Sequence, residues 1–312
     1  MKYIEYVNSL IRDKVSKSEN CVLFGQNINA GSCLGGLTRN IKVNAKSKIF
    51  NSTNAENSLT GFGFGLMMND SNAVFFLKQL DFLLLGIDHL VNTFNIIRSI
   101  KENYVQGSFT IIATLVDSGF DGPQSSFNGF YDLCAIARVN GYNINNKADA
   151  DYFFKNEFLE PGFRIITLSQ RLGREDIDEL FSPISVLANG NIFQYSKGMD
   201  VTIVSSNFSY AAASDLVSTL NEDNIHSSHF HINNVINTDW EEVILNISKT
   251  KKLIVIDDSK SIQTSVDYLL SKINGINLEK KIILKREIKE DWLYPRSDIF
   301  EINKKEVLNK LL

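Results

Sequence analysis

Strands and helices alternate along this 312-residue chain. The alternation predicts an α/β protein of two domains, each with a mainly parallel sheet flanked by helices. Three observations carry that expectation. Short apolar runs recur between glycine or polar residues, as in Cys21-Val-Leu-Phe-Gly25 and Lys252-Leu-Ile-Val-Ile-Asp257; strands buried on both faces have this composition. Segments of helical period separate those runs. The length exceeds what one domain usually needs. The irregular stretch 171–197, with its acidic Glu175-Asp-Ile-Asp-Glu179, Pro183 and Gly190, places the junction. The domains are therefore expected at 1–185 and 186–312.

The elements follow in order. Residues 2–17 read as a helix, because Tyr3, Tyr6, Val7, Leu10, Ile11 and Val15 fall close to helical spacing. Cys21 to Gly25 is a buried strand. Residues 26–40 are rich in Gly, Asn and Ser and read as a loop. Ile49-Phe50 is a short strand, 57–68 a helix carrying Gly61, Gly63 and Gly65, 73–76 a strand and 83–103 a long helix. Then come a strand at 108–115, a Gly/Pro/Ser loop at 117–127, a helix at 131–139, a strand at 141–144, a helix at 149–156 and a strand at 163–168. The second domain repeats the cycle: strands at 200–206, 229–235, 252–257 and 280–285, with helices at 209–221, 241–250 and 262–273.

With 44% hydrophobic and 22% charged residues the chain has the composition of an ordinary globular protein. A net charge of -4 gives no basis for nucleic acid or an anionic membrane as partner. The most apolar run, 73–91, is interrupted by Lys78, Asp81 and Asp88, short of the roughly 20 uninterrupted residues a membrane helix needs. The N-terminus is amphipathic, unlike a signal peptide. Cys21, Cys33 and Cys134 are odd in number and show no metal spacing, which suits the reducing cytoplasm.

Glu56 is the first candidate for chemistry. Thr53-Asn-Ala-Glu56 fits a capping box, in which Thr53 caps the helix and Glu56 reaches back to its amide, worth about 1 kcal/mol. A functional carboxylate at the helix start is the alternative. His226-Ser-Ser-His229-Phe-His231 puts two imidazoles on one strand face, but neither cysteine nor carboxylate lies near in sequence, so no metal is assigned to this chain. Asp257-Asp258 closes a strand and suits a loop cap.

Phe50-Asn-Ser-Thr-Asn-Ala-Glu56-Asn-Ser-Leu-Thr-Gly61 resembles a strand, a glutamate and a glycine-containing helix in one family of enzymes. Asp81-Phe82 through Asp88-His-Leu-Val-Asn92 resembles the same family's Asp-Phe, Asp-Gln, Asn run. Gly119-Phe-Asp-Gly-Pro-Gln-Ser-Ser126 resembles its Gly-Pro-Thr-His loop. Gly198-Met-Asp200-Val-Thr-Ile-Val and Leu253-Ile-Val-Ile-Asp-Asp258 resemble strands of its C-terminal domain. The matches occur in order over roughly residues 20–275. The family is the beta subunit of thiamine-diphosphate-dependent 2-oxo acid dehydrogenases, whose fold is shared by the C-terminal half of transketolase.

The resemblance implies a pyrimidine-binding domain followed by a transketolase C-terminal domain. It implies that Glu56 hydrogen-bonds a ring nitrogen of the aminopyrimidine and promotes its imino tautomer. It implies that Phe82 stacks on that ring, with Asp81 and Asn54 as neighbouring cofactor contacts. Mg²⁺ and the diphosphate would be held mainly by an alpha-like partner carrying Gly-Asp-Gly followed by Asn; the similar spacing of Asp121-Gly122 and Asn145-Asn146 is read as coincidence, because Phe120 stands where the first glycine belongs. This chain would dimerise within a heterotetramer and act on a 2-oxo acid or ketose. Three departures stand out: Gln124-Ser125-Ser126 lacks the loop histidine, Gln26 stands where an acid is usual, and Asn54 where an apolar contact is common. A split transketolase half and a non-catalytic assembly subunit are the alternatives.

Overall fold

The computed structural model describes residues 1–101, 107–117, 127–177, 182–286 and 300–312. The chain divides into two compact units: Met1–Val116 with Leu133–Asp178, and Asp117–Asp132 with Glu179–Leu312. Each is a parallel or mixed sheet between helical layers, the α/β class expected. Among the described residues, Asp117 and residues 127–132 fall in the second unit.

The first unit opens with α1 (Tyr3–Lys17). Its sheet contains β1 (Cys21–Gly25), β2 (Lys48–Asn51), β3 (Asn72–Leu77), β4 (Ser108–Leu115), β5 (Asn140–Ile144) and β6 (Gly162–Ser169), in the order β2-β1-β3-β4-β6-β5. Every pairing is parallel. The inner strands are covered on both sides, hence their near-continuous apolar runs. Successive side chains face opposite ways. Val74, Phe76, Ile112, Ile166 and Leu168 meet α1 and α5 (Lys147–Asn156) on one face. On the other, Phe109 and Phe163 meet Phe64 of α2 (Glu56–Met68) and Phe94 of α3 (Phe94–Lys101), with ring centroids 4.9–5.5 Å apart. Gly63 makes this possible: a Cβ there would lie 2.2 Å from the Phe109 ring.

The long helix expected at 83–103 is broken. Its described part is a 3-10 segment Leu80–Gly86, a π turn His89–Thr93 and α3, with a bend of 67° at the break after Gly86. An apolar pattern does not distinguish these windings; close packing on α2 does. Among the described residues no single helix is long and apolar enough to cross a membrane.

Helix α4 (Phe130–Ala137) crosses the division between the units. The second sheet contains β7 (Ser185–Leu187), β8 (Ile192–Ser196), β9 (Val201–Ser206), β10 (Ser227–Ile232), β11 (Lys252–Asp257) and β12 (Lys280–Lys285), ordered β12-β11-β9-β10-β8-β7. The first four in that order are parallel; β8 and β7 extend the sheet antiparallel. Helices α6 (Tyr210–Glu222) and α9 (Lys304–Leu311) cover one face, α7 (Glu241–Thr250) and α8 (Asp267–Lys272) the other. Strands β7 and β8 and helix α9 are absent from the sequence expectation, because each is too short and too polar to show a period.

Candidate functional site

In the first unit the strand order reverses between β1 and β3. The chain steps from β1 outward to β2, then returns to β3 on the opposite side. In open α/β sheets ligands bind beyond the carboxyl ends of the strands at such a point. Gly25 ends β1 there, and a Cβ on it would lie 2.3 Å from the Phe76 carbonyl oxygen. Only glycine allows the two strand ends to close. The Ser52 amide donates to the Gly25 carbonyl at 2.9 Å, and the Asn29 amide to Asn51 Oδ1 at 2.9 Å. The link from β2 to α2 is thereby held beside β1.

That link delivers Glu56 as the first residue of α2. The capping box read from the sequence does not form. Ala55 is the N-cap, and no side chain caps the helix. The helix begins two residues later than a Thr53 cap requires, leaving Thr53 and Asn54 exposed in the preceding bend. Glu56 is half-buried, in the first turn, where the helix dipole favours negative charge by about 0.3–1 kcal/mol. Its carboxylate has no capping duty.

The other predicted residues follow β3. Asp81 is buried and Phe82 half-buried at the start of the 3-10 segment, and the Phe82 amide donates to the Gln79 carbonyl at 3.3 Å. This segment packs on α2 through Gly86, whose missing Cβ would lie 2.5 Å from Thr60 Oγ1. Thr60 in turn donates to the Glu56 carbonyl at 2.7 Å. One turn on, the His89 ring lies over Gly61, with Nδ1 2.8 Å from Thr93 Oγ1. Helix α2, which starts at Glu56, and the 3-10 segment that starts with Leu80-Asp81-Phe82 thus pack on each other through Thr60 and Gly86. Around them Phe50, Phe62, Leu84 and Leu85 remain exposed.

An aminopyrimidine needs a carboxyl group for its ring nitrogen and a flat apolar face, and Glu56 and Phe82 are of those kinds. Among the described residues no group of three or more His, Cys, Asp or Glu could hold a metal ion. Asn145 and Asn146 are structural. Asn146 Oδ1 caps α5 by accepting the Asp149 amide at 3.0 Å, and the Asn145 amide donates to Asp149 Oδ2 at 2.8 Å. Asp121-Gly122 and the whole of Gly119 to Ser126, with Gly122-Pro123 and Gln124, lie outside the described residues.

In the second unit His229 and His231 are buried on one face of β10, as their spacing implies, while His226 is exposed. Both rings turn to Ser205 Oγ of β9, at 2.7 Å from His229 Nε2 and 2.8 Å from His231 Nδ1. Tyr210 stacks on His229 at 5.9 Å between centroids. Burial pushes His229 down to about 3, and His231 well below the usual imidazole range. Asp257 caps its loop, accepting the Ser259 amide at 2.9 Å and the Ser265 amide at 2.6 Å. Nothing in the sequence singles out Ser205, the first of two serines that end the apolar strand β9.

No family model matches this chain, and no curated protein matches it. Among solved structures it is similar to one described as "Split gene transketolase, inactive beta4 tetramer". The TM-score is 0.72 and the identity 17%, with 98% of this chain and 95% of that chain covered. The chain therefore has a transketolase-like fold, of the type formed by the C-terminal half of that enzyme.

Proposed function

We propose that this chain is the beta-like subunit of a two-component thiamine-diphosphate enzyme. It would decarboxylate a 2-oxo acid or transfer an acyl or ketol unit, in the cytoplasm. The observation that supports it best is the packing of the first turn of α2, which begins at Glu56, against Gly86 of the 3-10 segment that also carries Asp81 and Phe82, in a sheet whose strand order switches between β1 and β3. When bound, the cofactor supplies the carbanion-stabilising centre that such reactions need. Glu56 would hold or release a proton at its carboxyl oxygen, opposite a ring nitrogen. Phe82 would fix the plane of the ring, and Asp81 and Asn54 would line its approach. An alpha-like partner would bring Mg²⁺ and the diphosphate-binding half. A second copy would complete a dimer inside a heterotetramer. The exposed Phe50, Phe62, Leu84 and Leu85 around Glu56 suit a surface that a partner covers.

A second reading, a non-catalytic assembly subunit, draws on Gln124-Ser125-Ser126, where the loop histidine is missing. One experiment separates the two. The chain is co-expressed with an alpha-like chain, and turnover of 2-oxo acids and ketose phosphates is followed while thiamine diphosphate and Mg²⁺ are titrated. Turnover that falls about 100-fold or more in Glu56→Gln, with assembly intact, supports the catalytic reading. Equal turnover in Glu56→Gln removes Glu56 from the chemistry. Tight binding of the whole cofactor by this chain alone removes the half-site.

A further inference from the structure

The strand ends at the switch point of the first sheet carry two further polar groups. Ser52 follows β2, and its amide donates to the Gly25 carbonyl at 2.9 Å. Its hydroxyl is buried and has no hydrogen-bond partner among the described residues. Gly25, the last residue of β1, pairs in register with Asn51 on one side and Phe76 on the other. Lys78 stands two residues beyond Phe76, just past the end of β3. It is exposed and makes no ion pair among the described residues, not even with Asp81 in the segment that follows. The exits of β1 and β3, between which ligands bind in such sheets, therefore bear an unpaired hydroxyl and an unpaired ammonium.

Charge singles out the lysine. Segments 26–29, 52–56 and 78–89 leave the carboxyl ends of β1, β2 and β3. They carry Glu56, Asp81 and Asp88, and Lys78 is their one lysine or arginine. The substrate classes proposed above, 2-oxo acids and ketose phosphates, are both anions. Without Lys78 such a substrate would meet three carboxylates here and no ammonium or guanidinium, and like charges repel most where water is excluded. A carboxylate or phosphate oxygen accepts a hydrogen bond from a hydroxyl as well as from an ammonium, and the ammonium rides on a flexible stem that adapts to either anion.

We propose that Lys78 and Ser52 form an oxyanion subsite, which takes the carboxylate or phosphate of the substrate and favours anionic over neutral ketones. Its part in turnover rests on the thiamine-diphosphate reading above; the capture of an oxyanion does not.

Two measurements test it separately. In the first, the full chain is acetylated with a limiting amount of an activated ester, with and without inorganic phosphate or acetate, and labelled lysines are read by mass spectrometry. Both anions are expected to protect Lys78 in the wild type and to protect it less in Ser52→Ala. Lys48, at the opposite end of β2, is expected to be labelled equally with and without them. No protection of Lys78, or equal protection of Lys48, overturns the subsite. In the second, the chain assembled with an alpha-like subunit is assayed with pyruvate, fructose phosphate and unphosphorylated fructose. Lys78→Met is expected to raise KM for the anionic substrate by about tenfold or more, well beyond its effect on fructose, with kcat less affected. Lys78→Arg keeps the charge and is expected to recover most of the affinity. The substrate whose KM rises, pyruvate or fructose phosphate, identifies the source of the oxyanion. Equal changes for anionic and neutral substrates, or none, overturn the selection by Lys78. A wild-type complex without turnover removes the thiamine-diphosphate reading, and the labelling pattern still decides the subsite.

Discussion

Gly86 and Thr60 approach so closely that a Cβ on the glycine would lie 2.5 Å from the threonine hydroxyl and 3.5 Å from the Glu56 carbonyl oxygen. The first turn of α2 and the segment carrying Phe82 are thereby fixed against each other. Thr60 cannot give way easily, because it is branched at Cβ and bonded to the Glu56 carbonyl. Gly86→Ala is expected to lower stability by about 1–3 kcal/mol in urea denaturation. Gly65→Ala, on the exposed side of α2 with no atom within 4 Å, is expected to raise it by up to about 1 kcal/mol. A Gly86→Ala protein as stable as wild type sinks the close-approach argument.

The residues that meet here were legible in unequal degree. The strands of the first sheet announce themselves, because two-sided burial demands apolar runs such as those of β3 and β4. Glu56 stands out as a carboxylate at a helix start. What it does there is not local information: the spacing Thr53-x-x-Glu56 satisfies the capping-box pattern, yet Ala55 takes the cap. The broken winding from Leu80 to Lys101 was illegible for a different reason. Leu83, Leu84 and Leu85 suit any helix, and only contact with α2 selects among them. Asn128 carries no signal at all until Asn207 and Asp258, 79 and 130 positions further along the chain, are brought beside it.

Phe82 offers a test that leaves proton transfer alone. Phe82→Leu removes the aromatic face and keeps an apolar side chain. In the assembled complex the affinity for thiamine diphosphate is expected to drop about fivefold, the equivalent of about 1 kcal/mol for an aromatic stack. Titration by tryptophan fluorescence or calorimetry measures it. An unchanged affinity removes the ring from the cofactor contact.

The thiols differ sharply in reach. Burial pushes Cys21 up to about 12 and Cys134 higher still, whereas Cys33 is half-exposed. One equivalent of iodoacetamide is expected to label the native chain at Cys33, and all three cysteines to react after unfolding. Mass spectrometry of the labelled peptides decides; fast native labelling of Cys134 contradicts the packing around α4.

Acid acts on the second unit in two opposed ways. His229 and His231 are held neutral, below the ordinary imidazole value of 6.5. The stability they contribute is complete above 6.5 and is lost as pH falls toward about 3. Asp258, raised by burial from 3.8 to about 6, costs stability as pH rises through that interval and recovers it on acidification. Between pH 6 and 4 the urea midpoint is therefore expected to fall more gently in His229→Gln/His231→Gln and more steeply in Asp258→Asn, each against wild type. The reverse order of slopes contradicts both assignments.

Ser205 has one hydroxyl proton and two imidazoles within reach. It can donate to one ring only, so the other ring must donate to it. The tautomers of His229 and His231 are consequently not independent. If the hydroxyl proton points to His231 Nδ1, that ring carries its hydrogen on Nε2 and His229 carries one on Nε2. If it points to His229 Nε2, both hydrogens sit on the Nδ1 atoms. Passing from one state to the other takes a rotation about the Ser205 Cβ–Oγ bond together with a proton moved between the two nitrogens of each ring, so the two rings change tautomer as one element inside the sheet.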